Sequence, residues 1–525
     1  MSKLIRPLQV AAAVGLVGTL AANLLTAQPP AATPPPAPAP APAAAKEQPA
    51  PAPEKGGEKL SPVKVTNEKV EMKTAVTPKP LSAAVKKGLE WLVKSQQEDG
   101  GWNQGGGWRN QGTGGGRVEG ANVEDPSDVG NTCFALLALF RAGSTPTTGD
   151  YREAVARGLR FILARVERAD GDSLFITDVR GTQLQGKIGL YVDTFLVNLV
   201  LAEMRGSAGP DEQRLVAALT KTMNKIVRHQ DANGNFANNP GWASTLSVGV
   251  ATKSVARARQ NGVEVDRRVL ERALADAKTA AEGKAVAAAP AAVAAAPVGA
   301  PAASGPAPAG KAADPTTFAA RPPGVVGGRT EAGSALSSGG GFGGGDAGVK
   351  LYSFGRGAGN SQDAVNGFRV EAAKAKEILK DQKATDGQKA DARKTIELAD
   401  KAEQANDRVQ GELARTVRDE KFVAGFGSNG GEEFLSFMNI SETLVLKGGK
   451  DWTDWDAKMQ QGLEKAQDQS GSWSGHHCIT GKTFCTSAAL LVLMSDRTPF
   501  PVDVLRAQAE KRDAPAAAPA TPRKD

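Results

Sequence analysis

Two histidines and two cysteines, His476, His477, Cys478 and Cys485, fall inside the stretch SGHHCITGKTFC. The rest of the 525-residue chain holds only one more histidine, His229, and one more cysteine, Cys133. Imidazole and thiolate together suit zinc or copper. A thiol beside an imidazole base is also the arrangement of an activated nucleophile, with Cys478 or Cys485 attacking and His476 or His477 taking the proton. In an exported chain the same cysteines can form a Cys478 to Cys485 disulfide that closes the loop. Packing and turn hydrogen bonds alone are a fourth reading. Adjacent histidines point in different directions on most backbones, and six residues between cysteines is not a recognised zinc spacing, so the four readings stay open. His229 reads as a capping or surface residue and Cys133, inside an apolar run, as core.

The cluster sits between two elements that recur along the chain. Before it stands a helix ending at Gln467 and then Gly471-Ser472-Trp473, a Q-x3-G-x-W unit; after it comes the apolar run to Leu493. The same unit is Gln96, Gly100 and Trp102, following Val85, Leu89, Leu92 and Val93 at helical spacing with Trp91 adding bulk. Asp128 then leads into the apolar run Thr132 to Phe140, a helix buried on most sides, which Asp128 and Thr132 would cap. A second pair starts at Ala154 to Ile162 and closes at Tyr191 to Val197. A third runs from Leu215 to Gln230, Gly234 and Phe236, then Trp242 to Ala256. A fourth begins at Val269 to Ala277, finds its delayed turn in Leu351 to Phe354, and resumes at Gly430 to Met438. Such self-similarity is the mark of stacked repeats. The acidic aromatic stretch Asp451 to Asp456 reads as caps and anchors.

Composition sets the boundaries. Lys3 and Arg6 before the apolar run Leu8 to Leu25 read as a signal peptide or signal anchor over 1–27, so the protein is expected to be exported to the periplasm, cell envelope or outside, with membrane contact only through this segment. A Pro/Ala linker over 28–79 follows, with ordered structure expected from near Leu81. Repeats occupy 80–280, and 281–350 is a low-complexity, disordered insertion. Residues 351–419 hold the delayed turn and a charged, coiled-coil-like helical hairpin whose loop is Lys383 to Gln388. Repeats return over 420–505, and 506–525 is a disordered tail. Gly105 to Gly120 is expected to be a flexible loop, and not a phosphate loop, because no strand precedes it. The net charge of +7 is spread through helices that also carry acids, with no basic stripe interleaved with aromatics, so nucleic acid is not an expected partner.

Lys87-Gly88-x2-Trp91-Leu92-x3-Gln96-x3-Gly100-x-Trp102 resembles the full motif of the prenyltransferase and squalene-oxidase repeat found in terpenoid cyclases and protein prenyltransferases. The late copy, with Gln467, Trp473 and Thr486, fits its second half. The resemblance implies an all-α fold, an α/α toroid of inner and outer helices around an apolar central cavity. It further implies that Trp91, Gln96, Trp102, Asp128, Thr132, Gln467, Trp473 and Thr486 are repeat-motif or cavity residues. The cyclase acid motif D-x-D-D-T corresponds to Asp128-Val129-Gly130-Asn131-Thr132, with glycine where the acid belongs. The prenyltransferase zinc motif D-x-C is absent, and Cys485 stands where that family has its histidine. The G-C-G-E-Q sequence of the complement-type thioester domains, which share the toroid, is missing too.

The expectation is therefore a non-catalytic or divergent toroid binding an apolar small molecule, a peptide or an envelope protein. The alternatives are an enzyme acting on isoprenoid-like substrates through the His/Cys cluster, with zinc or copper as its possible metal, and a cell-envelope scaffold. Only 5% of residues are Phe, Trp or Tyr, which speaks against a cavity built to stabilise carbocations.

Overall fold

The computed structural model describes residues 62–66, 70–109, 116–118, 125–231, 234–239, 244–266, 269, 272, 346–419, 430–475 and 478–513. The leader, Trp242, most of the 281–350 insertion, His476 and His477 lie outside the described residues.

The described chain is mostly helical, and its helices are of two kinds. Ser82, in an extended conformation, accepts the Val85 N–H and starts α1 (Ala83–Lys94), which buries one face through Val85, Gly88, Leu89 and Leu92. By contrast α2 (Val129–Arg141) buries every residue but Phe140. The alternation continues with α3 (Arg152–Arg168), one-faced; α4 (Gln183–Lys187), a short connector; and α5 (Val192–Met204), buried throughout. Then come α6 (Glu212–His229), one-faced, and α7 (Ser244–Gln260). After the insertion stand α8 (Asp346–Lys380), α9 (Asp386–Thr416), α10 (Glu433–Lys447), α11 (Gly449–Ala466), α12 (Lys482–Leu493) and α13 (Val502–Asp513).

Helices α2, α5, α7, α8, α10 and α12 pack on one another in succession, α2 on α5, α5 on α7, α7 on α8, α8 on α10, α10 on α12, and α12 again on α2. That succession returns to its first member. The amphipathic helices back them: α3 on α2, α6 on α5, α9 on α8, α11 on α10 and α12, and α1 on α12. A helix apolar all round needs neighbours on every side, and a one-faced helix needs them on one, which assigns α2, α5, α10 and α12 to the buried layer; α7 and the first half of α8 join it with buried polar and charged side chains.

Several expectations are corrected. The stretch read as a linker up to residue 79 contains β1 (Lys64–Val65) and β2 (Met72–Thr74). The supposed flexible loop contains β3 (Gly107–Arg109) paired antiparallel with β4 (Gly116–Val118). Strand β1 pairs with β5 (Val263–Glu264), and β2 with β6 (Pro499–Pro501), so distant backbone fixes the residues before α1. Leu351 to Phe354, expected as a turn, are helical, because Leu351 and Tyr352 are buried in the first half of α8 against α7 and α10. The first half of α8 is buried, whereas α9 has exposed residues along its whole length and starts one residue after Thr385, which forms a capping box with Gln388. Residues 506–513, expected as tail, belong to α13. Asp451 to Asp456 lie inside α11 rather than before it, with Trp452 and Trp455 buried and Trp455 Nε1 donating to Ser441 Oγ at 2.8 Å.

Candidate functional site

The two glutamine–glycine–tryptophan turns have one geometry. Gln96 Nε2 donates to the carbonyl of Gly100 at 2.8 Å and to that of Ala154, in the next amphipathic helix, at 2.9 Å. Gln467 Nε2 donates to Gly471 at 2.8 Å and to Ala84 at 2.8 Å. Trp102 Nε1 donates to the Leu92 carbonyl, and Trp473 Nε1 to that of Leu463, while the backbone N–H of each tryptophan donates to Thr132 Oγ1 and Thr486 Oγ1 respectively, both at 2.9 Å. Each indole lies against a glycine of the following amphipathic helix: a Cβ on Gly158 would stand 2.9 Å from Trp102 Cζ3, and one on Gly88 2.9 Å from Trp473 Cζ3. A methyl group does not fit at such a distance. Gly100 and Gly471, with φ of 87° and 93°, make the left-handed turn that aims the indole inward. These residues are architecture, and Trp91 packs half-buried against the same core.

Asp128 caps α2 by accepting the Asn131 N–H at 2.8 Å. Its neighbour Gly130 is the position of interest. A Cβ there would meet Asp193 Oδ1 at 2.9 Å and Leu184 Cδ1 at 2.7 Å. The space of a side chain at 130 is therefore filled by a carboxyl from the start of α5. Asp193 is buried; Gln185 Nε2 donates to its Oδ2 at 2.6 Å, while its Oδ1 accepts no hydrogen bond. Burial raises its pKa to about 6, opposed by the Gln185 bond and the charge of Arg180. The sequence reading missed Asp193, and no local motif flags it.

Around the cysteines the backbone is tight. Cys478 adopts φ of 57°, unusual for a residue with a side chain. The Ile479 carbonyl accepts from Gly431 N–H at 3.0 Å and from Cys485 Sγ at 3.6 Å. Gln183, in α4, accepts from Thr480 and Gly481 N–H through Oε1 at 2.9 and 3.0 Å. Glu432, fully buried, accepts the Tyr352 hydroxyl at 3.1 Å and the Ile479 N–H at 3.4 Å. Gln183, Glu432 and Tyr352, none of them expected at the site, thus hold this turn.

Three of the four readings of the cluster bear on these thiols. The disulfide is not formed: Cys133, Cys478 and Cys485 are all free, because the Cys485 thiol is committed to a slot against Gly431 and Ile479. The base of the activated nucleophile, His476 or His477, lies outside the described residues. Burial pushes the Cys478 thiol up to about 12, with the Glu432 carboxylate adding to the effect, and burial pushes Cys485 up further. For a metal, no group of three or more His, Cys, Asp or Glu side chains gathers among the described residues; His476 and His477 are not among these. His229 ends α6 with Nδ1 at 2.9 Å from the Lys225 carbonyl, and Cys133 is core.

Between the buried helices the expected apolar cavity is reduced to a narrow opening and a buried ion cluster. The opening holds about 380 Å³ of atom-free space, its mouth included, walled by Phe134, Leu199, Leu246, Val250, Leu435 and Met438. Its deepest part admits little more than a water molecule. Beside it Glu442 receives Arg141 at 3.3 Å, Arg257 at 3.0 Å and Lys253 at 2.5 Å, while Arg141 also pairs with Glu203 at 2.7 Å and Lys253 with Asp363 at 3.1 Å. All six side chains are buried. Three cations and three carboxylates therefore fill space that apolar lining was expected to leave empty, and Thr498 and the Pro499 carbonyl supply further acceptors.

No protein-family model matches the chain, and no curated protein matches it.

Proposed function

We propose that the chain is an exported α/α toroid of the prenyltransferase and squalene-oxidase repeat type that binds rather than catalyses, taking an apolar group of a peptide or protein partner into the opening between α2, α5, α7, α8 and α10. The closed succession of helices and the identical docking of Trp102 and Trp473 support the toroid. The observation that carries the binding reading is the shape and content of its interior. A substrate-sized pocket needs several hundred Å³ of enclosed volume. Here the opening narrows to water size and the adjoining volume is filled by the Arg141–Glu442–Arg257 cluster. An apolar side chain fits such a space; a polycyclic isoprenoid does not. The position at Gly130 is filled and both late cysteines are held as thiols, which favours binding over either family chemistry.

The test pairs binding with turnover. A small apolar probe of side-chain size such as N-acetyl-L-leucinamide should bind the folded protein, and Val250→Trp, which fills the opening, should weaken it without changing the helical circular dichroism. Incubation with farnesyl diphosphate or squalene, with and without zinc, should return the substrate unchanged; product formation would overturn the reading.

A further inference from the structure

A second, open recess lies between α7, α8 and the turn after α6; most of its about 520 Å³ of atom-free space is its mouth, so a ligand would rest there rather than be enclosed. Its lining includes Gln230, Val248, Val255, Arg259, Val269 and Arg272. Arg259 is 7% exposed, yet its Nη2 makes no hydrogen bond. Among the described residues it pairs with Glu371, whose Oε1 stands 3.5 Å away and whose side chain is 37% exposed, so the pair is long and partly screened. The guanidinium reaches this place because Gly367 has no side chain; a Cβ there would be 3.1 Å from Nη1. Burial works against its charge, and an arriving anion would relieve that cost.

Two further groups complete the chemistry. Arg272 lines the same recess, with Nη1 donating to the Gln230 carbonyl across a long 3.3 Å. The Gln230 side chain is committed on one end only: Nε2 donates to Gly234 at 3.2 Å, while Oε1 is buried without a donor. The recess thus presents cationic donors, one unmet acceptor and valine walls.

We propose that this recess is a binding site for an N-acyl α-amino carboxylate with a small apolar side chain, the chemistry of a peptide C-terminus. The carboxylate sits on Arg259 and Arg272, as guanidinium groups favour. The amide N–H donates to Gln230 Oε1, and the side chain packs on Val248, Val255 and Val269. Nothing in this assignment depends on the apolar opening described above.

Titration with N-acetyl-L-valine, followed by calorimetry or amide NMR shifts, tests it. Wild-type protein should bind at millimolar concentration or below, N-acetyl-L-valinamide about tenfold more weakly for want of the carboxylate, and Arg259→Gln should show a similar loss. Because Arg259 is buried, Arg272→Gln is the second variant; it should weaken the acid and leave the weak amide binding as it was. A tripeptide ending in valine that binds more tightly than N-acetyl-L-valine identifies a peptide end as the source, and equal affinity a free acylated amino acid. Equal affinity for acid and amide, or no binding of the acid to the wild-type protein, overturns the proposal.

Discussion

The side chain of Gln467 donates to the carbonyl of Ala84, 383 positions earlier in the chain, at 2.8 Å. The contact repeats, atom for atom, the one between Gln96 and Ala154, so the last turn treats the first helix as simply the next one along. The N-terminal amphipathic helix is held by the same device that joins sequence neighbours.

That equivalence is measurable. Gly88→Ala and Gly158→Ala each force a methyl group toward an indole edge and should cost about 1–3 kcal/mol. Gln467→Ala, which leaves the Ala84 carbonyl without its donor, should cost about 1 kcal/mol. Urea midpoints should fall in all three with the slope unchanged, and by similar amounts for the two glycines. A neutral Gly88→Ala would show that the first and last elements are not joined in this way.

Glu442 is the keystone of the interior charges, accepting Arg141, Lys253 and Arg257. Its pKa lies far below the usual 4.5, burial being overcome by those three cations. A carboxyl with a lowered folded pKa contributes stability above its unfolded pKa and loses it as pH falls from there toward the folded value. Glu442→Gln should therefore destabilise by about 3–5 kcal/mol near neutrality, because three buried cations lose their shared anion. Thermal melts from pH 7 to 3 should show a shallower acid decline in the variant than in the wild type.

Asp193 has the opposite sign. Its folded pKa is about 6 against an ordinary 3.8, so the native state holds a proton that the unfolded chain has lost. Its contribution is fully present below about pH 4 and declines as pH rises toward 6. Asp193→Asn keeps the shape and removes the ionisation. It should leave stability at pH 4 nearly unchanged and raise it by roughly 3 kcal/mol at pH 8, the size of a two-unit shift. An equal effect at both pH values would contradict a buried acid at this place.

The thiols give a chemical readout. Alkylation of the unreduced, unfolded protein should add three labels, one each at Cys133, Cys478 and Cys485. In the folded protein at pH 8 only half-buried Cys478 should react, and slowly, since its thiol ionises only near pH 12. A mass short by two hydrogens before labelling would restore the Cys478 to Cys485 disulfide.

Much of the helical layer was legible because its signal is local. Val85, Leu89 and Leu92 show one face, whereas the run from Thr132 to Leu139 shows none. The same holds for Asp128 as a cap, whose bond reaches three residues ahead. What stayed hidden depends on distance along the chain. Strand β1 meets a partner nearly two hundred residues away, with Thr66 Oγ1 donating to a carbonyl 196 positions later, and strands this short carry no alternation to read. Gln183 holds the turn at Thr480 across 297 positions. Asp193 matters through the missing side chain at Gly130, and the charges around Glu442 come from five helices, each of which alone reads as an ordinary polar interruption. The histidine pair drew attention through composition alone, while Glu432 and Tyr352, beside the same turn, carry no such flag.

The docking of Trp473 on Gly88 also orders events in time. A chain emerging from the ribosome presents α1 first and must wait until residues beyond 467 appear before that glycine groove is covered. Until then the groove and the apolar face of α12's neighbours are open to proteases and holding chaperones. A chain broken off early exposes them permanently. Completion of the last repeat is thus what a quality-control system would sense in this protein.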